Sequence, residues 1–168
     1  MTTLKPTITL REATLEDVPT MVDVYFDAFH DNPLNQRCFL DSSQDARTYW
    51  TKWIEATFPS SGENAVAAHF FQTAREATQR VVAGRDFWFL SMIVTRREAQ
   101  RRGIGAAMMR FGVELADKEG WMAYLNASKS GRPLYELFGF KVQEHTWFDD
   151  LGLDMFHMTR DPRGVNGN

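Results

Sequence analysis

The sequence predicts an α/β domain built on a mixed sheet, and three observations carry that reading. An apolar run at Phe87–Val94, a basic glycine-bearing loop, a helical pattern opening at Ile104 and a second apolar run at Trp121–Leu125 follow one another in that order. Strand, helix, strand is the order of two parallel strands joined by a right-handed crossover. Two later runs, Lys141–Phe148 and Leu153–Thr159, flank Asp149–Gly152 and read as a closing antiparallel pair. Ahead of Phe87, apolar residues recur at helical spacing over long stretches.

Taken from the N-terminus, Thr7–Glu12 alternates, with Ile8 and Leu10 on one face, and reads as a first strand. Thr14–Pro19 is helix-start chemistry. Asp17 is the expected N-cap, because Pro19 fits only a first turn. Val18, Met21, Val22, Tyr25 and Phe29 share the face of the helix that follows, and His30-Asp31-Asn32-Pro33 breaks it. Asp45–Phe58 is a second amphipathic helix whose stripe of Tyr49, Trp50, Trp53, Ile54 and Phe58 reads as core. Pro59-Ser-Ser-Gly62 ends it. Val66, Phe70, Ala74, Ala77 and Val81 mark a third helix, ending near Gly84. The helix from Ile104 carries Ile104, Met108, Phe111 and Leu115 on one face, with Gly120 at the position of a terminating glycine. Ser130-Gly131-Arg132-Pro133 opens a short helix that Gly139 closes. The domain is expected to span 7–161, with 162–168 a flexible polar tail.

Composition narrows the function classes. The 168 residues are 43% hydrophobic and 24% charged, within the range of one globular domain. The single cysteine, Cys38, has no partner for an internal disulfide, which favours a reducing compartment; its neighbours Phe39 and Leu40 make it a buried or incidental thiol. The N-terminus shows no 7–15 residue apolar core and no run approaches the ~18 apolar residues of a membrane span, so a cytoplasmic location is expected, with no membrane partner. The four histidines are scattered without metal-ligand spacing, so no metal is expected. Gly-x-Ser-x-Gly, the nucleophile turn of serine hydrolases, is missing.

The most informative stretch is Arg96–Gly105. Four arginines against one glutamate between 96 and 102 give it a local charge of +3, in a chain whose net charge is −3. A strand, a basic glycine loop and a helix start bring free backbone N–H groups and the positive end of a helix dipole to one place, which suits phosphate. Gly103 and Gly105 lack a Cβ, so phosphate oxygens can reach the backbone. A P-loop would continue Gly-Lys-Ser/Thr where Ala106 and Ala107 stand, and a dinucleotide fingerprint would place glycine at Met108. A basic loop in an acidic chain points to a polyanionic small ligand, not to nucleic acid.

Gln100-Arg101-Arg102-Gly103-Ile104-Gly105 resembles the Gln/Arg-x-x-Gly-x-Gly acetyl-CoA pyrophosphate loop of the GCN5-related N-acetyltransferase (GNAT) superfamily. Leu125-Asn-Ala-Ser128, Gly131 and Leu134-Tyr135-Glu-Leu-Phe-Gly139-Phe140 resemble its second signature, at the expected spacing. The resemblance covers about 9–161, is densest over 87–140, and is nearest in style to fungal-type small-molecule members. It implies a GNAT-like mixed sheet with parallel central strands splayed around a CoA cleft and helices on both faces. It also exposes a departure: between Pro59 and Gly84 there is one helix pattern and no alternating segment, so the usual hairpin of the second and third strands is expected to be missing. The edge of Phe87–Val94 would then be bare, inviting a homodimer through that strand.

The resemblance further implies the site. Backbone at Ile93, Val94 and Thr95 pairs with the pantetheine arm, an N–H near Val94 serves the oxyanion, and Gln100, Arg101, Arg102, Gly103, Ile104, Gly105 and Ala106 cradle the pyrophosphate, with one of the two arginines touching it. Ser128 hydrogen-bonds the cofactor, and Tyr135 is the general acid. A phenol of pKa ~10 can protonate a thiolate of pKa ~8.5 without a large uphill step. The base is not assigned. Phe87–Val94 holds no carboxylate, its only polar side chain being Ser91, so the acceptor amine arrives neutral or the base is elsewhere, with His30, Asp31, His69 and His145 as candidates. The activity implied is direct transfer of an acetyl group from acetyl-CoA to the amine of a small molecule. A CoA-binding protein of weak or no catalysis, and a protein or peptide N-acetyltransferase, are the alternatives.

Overall fold

The computed structural model describes residues 7–32, 47, 48, 51 and 65–164, the side chains of 65–68 excepted. Its centre is a four-stranded mixed sheet in the order β1-β2-β4-β3, made of β1 (Phe87–Leu90), β2 (Met122–Ala127), β3 (Lys141–Phe148) and β4 (Leu153–Arg160). β1 and β2 are parallel, from Phe87↔Met122 to Leu90↔Leu125. β2 pairs antiparallel with β4, and β4 with β3 across the tight turn at 149–152, with a bulge between Val142 and Glu144.

Alternation along β2 divides the core. Ala123, Leu125 and Ala127 pack on Met109, Val113 and Ala116 of α3 (Ile104–Glu119). Met122 and Tyr124, on the opposite face, meet Val82 of α2 (Ala65–Val82). Helices therefore cover both faces of the sheet. α1 (Val18–Ala28) buries Val18, Val22 and Tyr25 against Met92 and Val94. α4 (Arg132–Leu137) sits beside α3.

Several sequence expectations are met. α3 ends at Gly120, whose φ of +71° only glycine adopts without strain, and Trp121 N–H reaches back to the Ala116 carbonyl at 3.0 Å. The β3–β4 pair, the short helix with Pro133 in its first turn and the third sequence helix stand where expected. Asp17 is the N-cap residue of α1, but its side chain turns back to Thr14 N–H (2.8 Å) and Arg11 (2.8 Å). The second helix, Asp45–Phe58, and Cys38 lie outside the described residues, apart from Arg47, Thr48 and Thr51, which are helical.

Three expectations are corrected. Residues 7–12 form no strand: Leu10 is 43% exposed and Ile8 lies beside the Gly103 loop, because alternation makes a strand only where a sheet edge takes its backbone. β1 stops at Leu90, not Val94, because the next residues leave β2 for α1. The buried stripe of α3 is Met109, Val113 and Ala116, while Phe111 is 55% exposed, so the helix is turned about one residue from the apolar face read in the sequence. Among the described residues no strand precedes β1, and Ala65–Val82 of the 59–84 stretch is helical.

Candidate active site

Pairing between the parallel strands ends at Leu90↔Leu125, while β2 runs on through Asn126 and Ala127 in partnership with β4. Beyond Leu90 the two chains part, because Met92 and Val94 are drawn onto α1. The gap at the C-terminal ends of the strands, where open α/β sheets take their ligands, opens into a cleft of about 1740 Å³.

One wall is the loop into α3. Residues 97–99 make a 3-10 turn anchored by Asp27 of α1, which accepts from Arg97 N–H at 2.7 Å and from Arg97 Nε at 3.4 Å. That backbone N–H, with the neighbouring guanidinium, holds the Asp27 carboxyl below its usual range. Gln100 Nε2 donates to the Thr95 carbonyl at 3.1 Å, closing the loop on itself. Arg101 at φ +63° and Gly103 at φ +87° turn the chain into the helix. Ala107 N–H is bonded to Gly103 O at 3.0 Å, and no side chain caps α3. The N–H groups of Ile104, Gly105 and Ala106 therefore have no intrahelical acceptor, and the dipole adds positive potential there. The two glycines have different causes. Gly103 is needed for its φ, whereas a Cβ on Gly105 would come within 3.2 Å of Leu134 Cδ2, so Gly105 sets the close approach of α3 and α4.

Next to this loop, the end of β2 and α4 continue the cleft lining. Ser128 Oγ accepts from Gly131 N–H at 3.2 Å and lies 3.1 Å from Ser130 Oγ. A Cβ on Gly131 would be 3.2 Å from Tyr135 Cε2 and 3.3 Å from Ser128 Oγ, so this glycine lets the phenol and the hydroxyl close in on one another. The Tyr135 ring packs edge-on to Phe140, and burial pushes its phenol up. Among the described residues nothing hydrogen-bonds its hydroxyl, and the ring lines the cleft.

Ile93, Val94, Thr95, Gln100, Arg101, Gly103, Ile104, Gly105, Ala106, Ser128 and Tyr135 all line this one cleft, and Arg102 does not. Of the histidine and aspartate candidates for a base, His30 pairs with Asp31 at 2.7 Å and His145 with Asp154 at 2.7 Å. His69 lies edge-on to Phe148. None of these four candidates lines the cleft; Asp154, the partner of His145, does.

On the α2 face of the sheet lies a buried polar chain that the sequence reading missed. Asn126 Oδ1 can only accept, and it takes the Tyr124 hydroxyl at 2.7 Å and His157 Nδ1–H at 2.9 Å. His157 Nε2 then accepts from Thr146 at 2.9 Å, and Thr78 of α2 donates to Tyr124 Oη at 2.9 Å. Tyr124 and His157 have no exposed surface. Burial lowers the His157 imidazole and pushes the Tyr124 phenol up to about 12. The signal available in the sequence was strand parity, which sets Tyr124 and Asn126 on one face. Asp27 left no sequence signal, since its partner lies 70 residues away.

The family model for the acetyltransferase (GNAT) domain matches residues 42–161. No curated protein sequence matches the chain. Among solved structures, the histone acetyltransferase HPA2 and related acetyltransferase from Corynebacterium glutamicum aligns at TM-score 0.61 and 20% identity over 92% of this chain and 96% of that one. The GCN5-related N-acetyltransferase from Rhodopseudomonas palustris gives TM-score 0.56 and 14% identity over 96% and 99%. An N-acetyltransferase from Staphylococcus aureus gives 0.52 and 15% over 90% and 96%. At these identities the likeness is one of fold. With the family model spanning more than half of the sequence, the chain belongs to the GNAT acetyltransferase family, whose members use acetyl-CoA as the acyl donor.

Proposed function

We propose that the chain transfers an acetyl group directly from acetyl-CoA to the amine of a small molecule. The observation that carries this reading is the convergence, on one cleft, of the uncapped N-terminus of α3 and an unpartnered phenol. The N–H groups of Ile104, Gly105 and Ala106, with Arg101, suit the diphosphate, and backbone at Ile93–Thr95, released from strand pairing, suits the pantetheine arm. Ser128, its hydroxyl turned into the α4 entry, is a cofactor contact at the mouth. A backbone N–H near Val94 is the proposed donor to the oxyanion that forms when the amine attacks, a term worth 10²–10³-fold in comparable sites.

Tyr135 then donates its proton to the departing thiolate. Its raised phenol keeps the proton at neutral pH. The domain reading of 7–161, a cytoplasmic site of action, a chemistry without metal and the absence of a nucleic-acid partner belong to the same proposal; the fungal-type affinity rests on the motifs alone. We also propose self-association through β1, supported by an outer edge that no described strand pairs and by the exposed Trp88 and Phe89 on it.

The test is release of free CoA thiol from acetyl-CoA in the presence of a panel of amines. Tyr135→Phe is expected to lower kcat by about 10²-fold or more while leaving acetyl-CoA affinity within about twofold. Tight CoA binding without any turnover would favour the binding-protein alternative, and no CoA binding would remove both.

A further inference from the structure

The cleft has two sides that differ in chemistry. Gly103–Ala106 and Tyr135 belong to the α3 face of the sheet, while Thr78, Phe89 and Asn126 belong to the α2 face. If the acyl donor enters from the α3 face, the α2 face is left to the acceptor.

On that face Asn126 is a fixed donor. Its Oδ1 is held inward by Tyr124 and His157, so its Nδ2 protons point away from the buried chain, with no partner among the described residues, and Asn126 lines the cleft. Arg75 is at the same level. Val82 packs on Met122 and Thr78 reaches Tyr124, so α2 runs antiparallel to β2, and Arg75 is one further turn on from Thr78. Three helical residues advance about 4.5 Å, against about 6.6 Å for the two strand residues from Tyr124 to Asn126. Arg75 has no ion pair among the described residues, and it lines the cleft. Among the described residues the one carboxylate lining the cleft, Asp154, is bonded to His145 at 2.7 Å. Exposed Phe71 and Phe89 give the same mouth an apolar surface.

A guanidinium and an amide N–H₂, both unspent, with aromatic rings beside them, match a ligand that brings oxygen lone pairs, negative charge and an apolar body. We propose that the acceptor is an α-amino acid with an apolar side chain, its carboxylate received by Arg75 and by the amide of Asn126. This rests on the acetyl-transfer reading and adds the class of amine to it.

The test uses the intact chain saturated with CoA, titrated by calorimetry with matched pairs of probes: phenylalanine against phenethylamine, and leucine against 3-methylbutylamine. Acetylation of the same pairs is followed by thiol release. The acids are expected to bind about 10–100-fold more tightly than their decarboxylated partners, the range of a charge-assisted hydrogen-bonded pair. Arg75→Met is expected to remove most of that ratio, leaving only the part due to Asn126, by weakening the acids more than the plain amines, and Arg75→Lys to retain more of it. Arg75 is exposed and has no ion pair among the described residues, so its loss is expected to leave folding intact. Equal binding within both pairs, or no binding of either acid, overturns the proposal, even where the plain amines are acetylated and acetyl transfer itself stands. Selective binding of the acids without any thiol release would uphold the carboxylate site and overturn the transfer reading instead.

Discussion

At Tyr135 the side chain is packed yet its hydroxyl is unspent, and this pairing separates catalysis from stability. Removing the oxygen deletes no hydrogen bond among the described residues, so the drop in kcat expected for Tyr135→Phe should come without loss of thermal stability. His157 is the reverse case, a residue whose ring nitrogens are both engaged and whose role is to hold others. Burial favours its neutral form; Glu144 pulls the imidazole up, Arg80 and His145 push it down, and desolvation dominates. The folded pKa therefore lies below the ordinary ~6.5. As pH falls below about 6.5 the unfolded chain takes the proton first, so stability contributed by this group is lost from there down to the folded value. Urea denaturation of His157→Gln should give a less stable protein at pH 7.5 but a flatter decline between pH 7 and 5. An unchanged slope would show that His157 does not carry that dependence.

Among the elements, β1 has the weakest claim to stand alone. Four residues with one described strand partner expose Trp88 and Phe89 by 38% and 40%, and Trp88 Nε1–H donates to Glu119 at 2.9 Å. Self-pairing of this edge predicts a dimer in sedimentation equilibrium that Trp88→Lys converts to monomer, since a lysine on an edge strand opposes pairing; a monomeric wild type would contradict it. How much of these elements was legible follows from the range of the forces that make them. α3 could be placed from its periodicity, and its end from the terminating glycine at Gly120. Its rotation could not, because Phe111 and Met109 are both apolar and only the positions of Ala123 and Leu125 decide which is buried. Thr7–Glu12 had the alternation of a strand, but its backbone pairs with none of the described strands, and the outer edge of β1 is not taken up by it. That the glycine loop and Tyr135 line one cleft was within reach of the sequence, because each motif is local. The Asp27 anchor and the Tyr124–Asn126–His157 chain join residues 31 to 70 positions apart and could not be read from spacing.

For the whole molecule, the contact that ties the termini of several elements is Arg160, which is 4% exposed. Its guanidinium grips both oxygens of Asp117 on α3 at 2.7 Å, and its Nε donates to Phe138 O at 3.0 Å, ahead of β3. Arg163 N–H adds a bond to Asp117 at 2.7 Å, which fixes the chain just after β4. Arg160→Met leaves the partly exposed Asp117 carboxylate with the Arg163 N–H as its remaining described partner and should lower stability by about 1–3 kcal/mol. Because the Arg160 hydrogen bonds depress the Asp117 carboxyl below its ordinary ~3.9, their contribution is complete above that value and fades as pH falls through the lowered one. Arg160→Met should therefore lose less further stability than wild type on acidification below pH 4. The account as a whole turns on acyl-CoA lying against the start of α3. The most direct measurement is calorimetric CoA affinity of Gly103→Asn and Gly103→Asp, two side chains of one shape that tolerate the positive φ alike and differ by one charge. The account predicts that the aspartate variant binds CoA at least about tenfold more weakly than the asparagine variant, by repulsion of the diphosphate. Equal affinity in the two would contradict it.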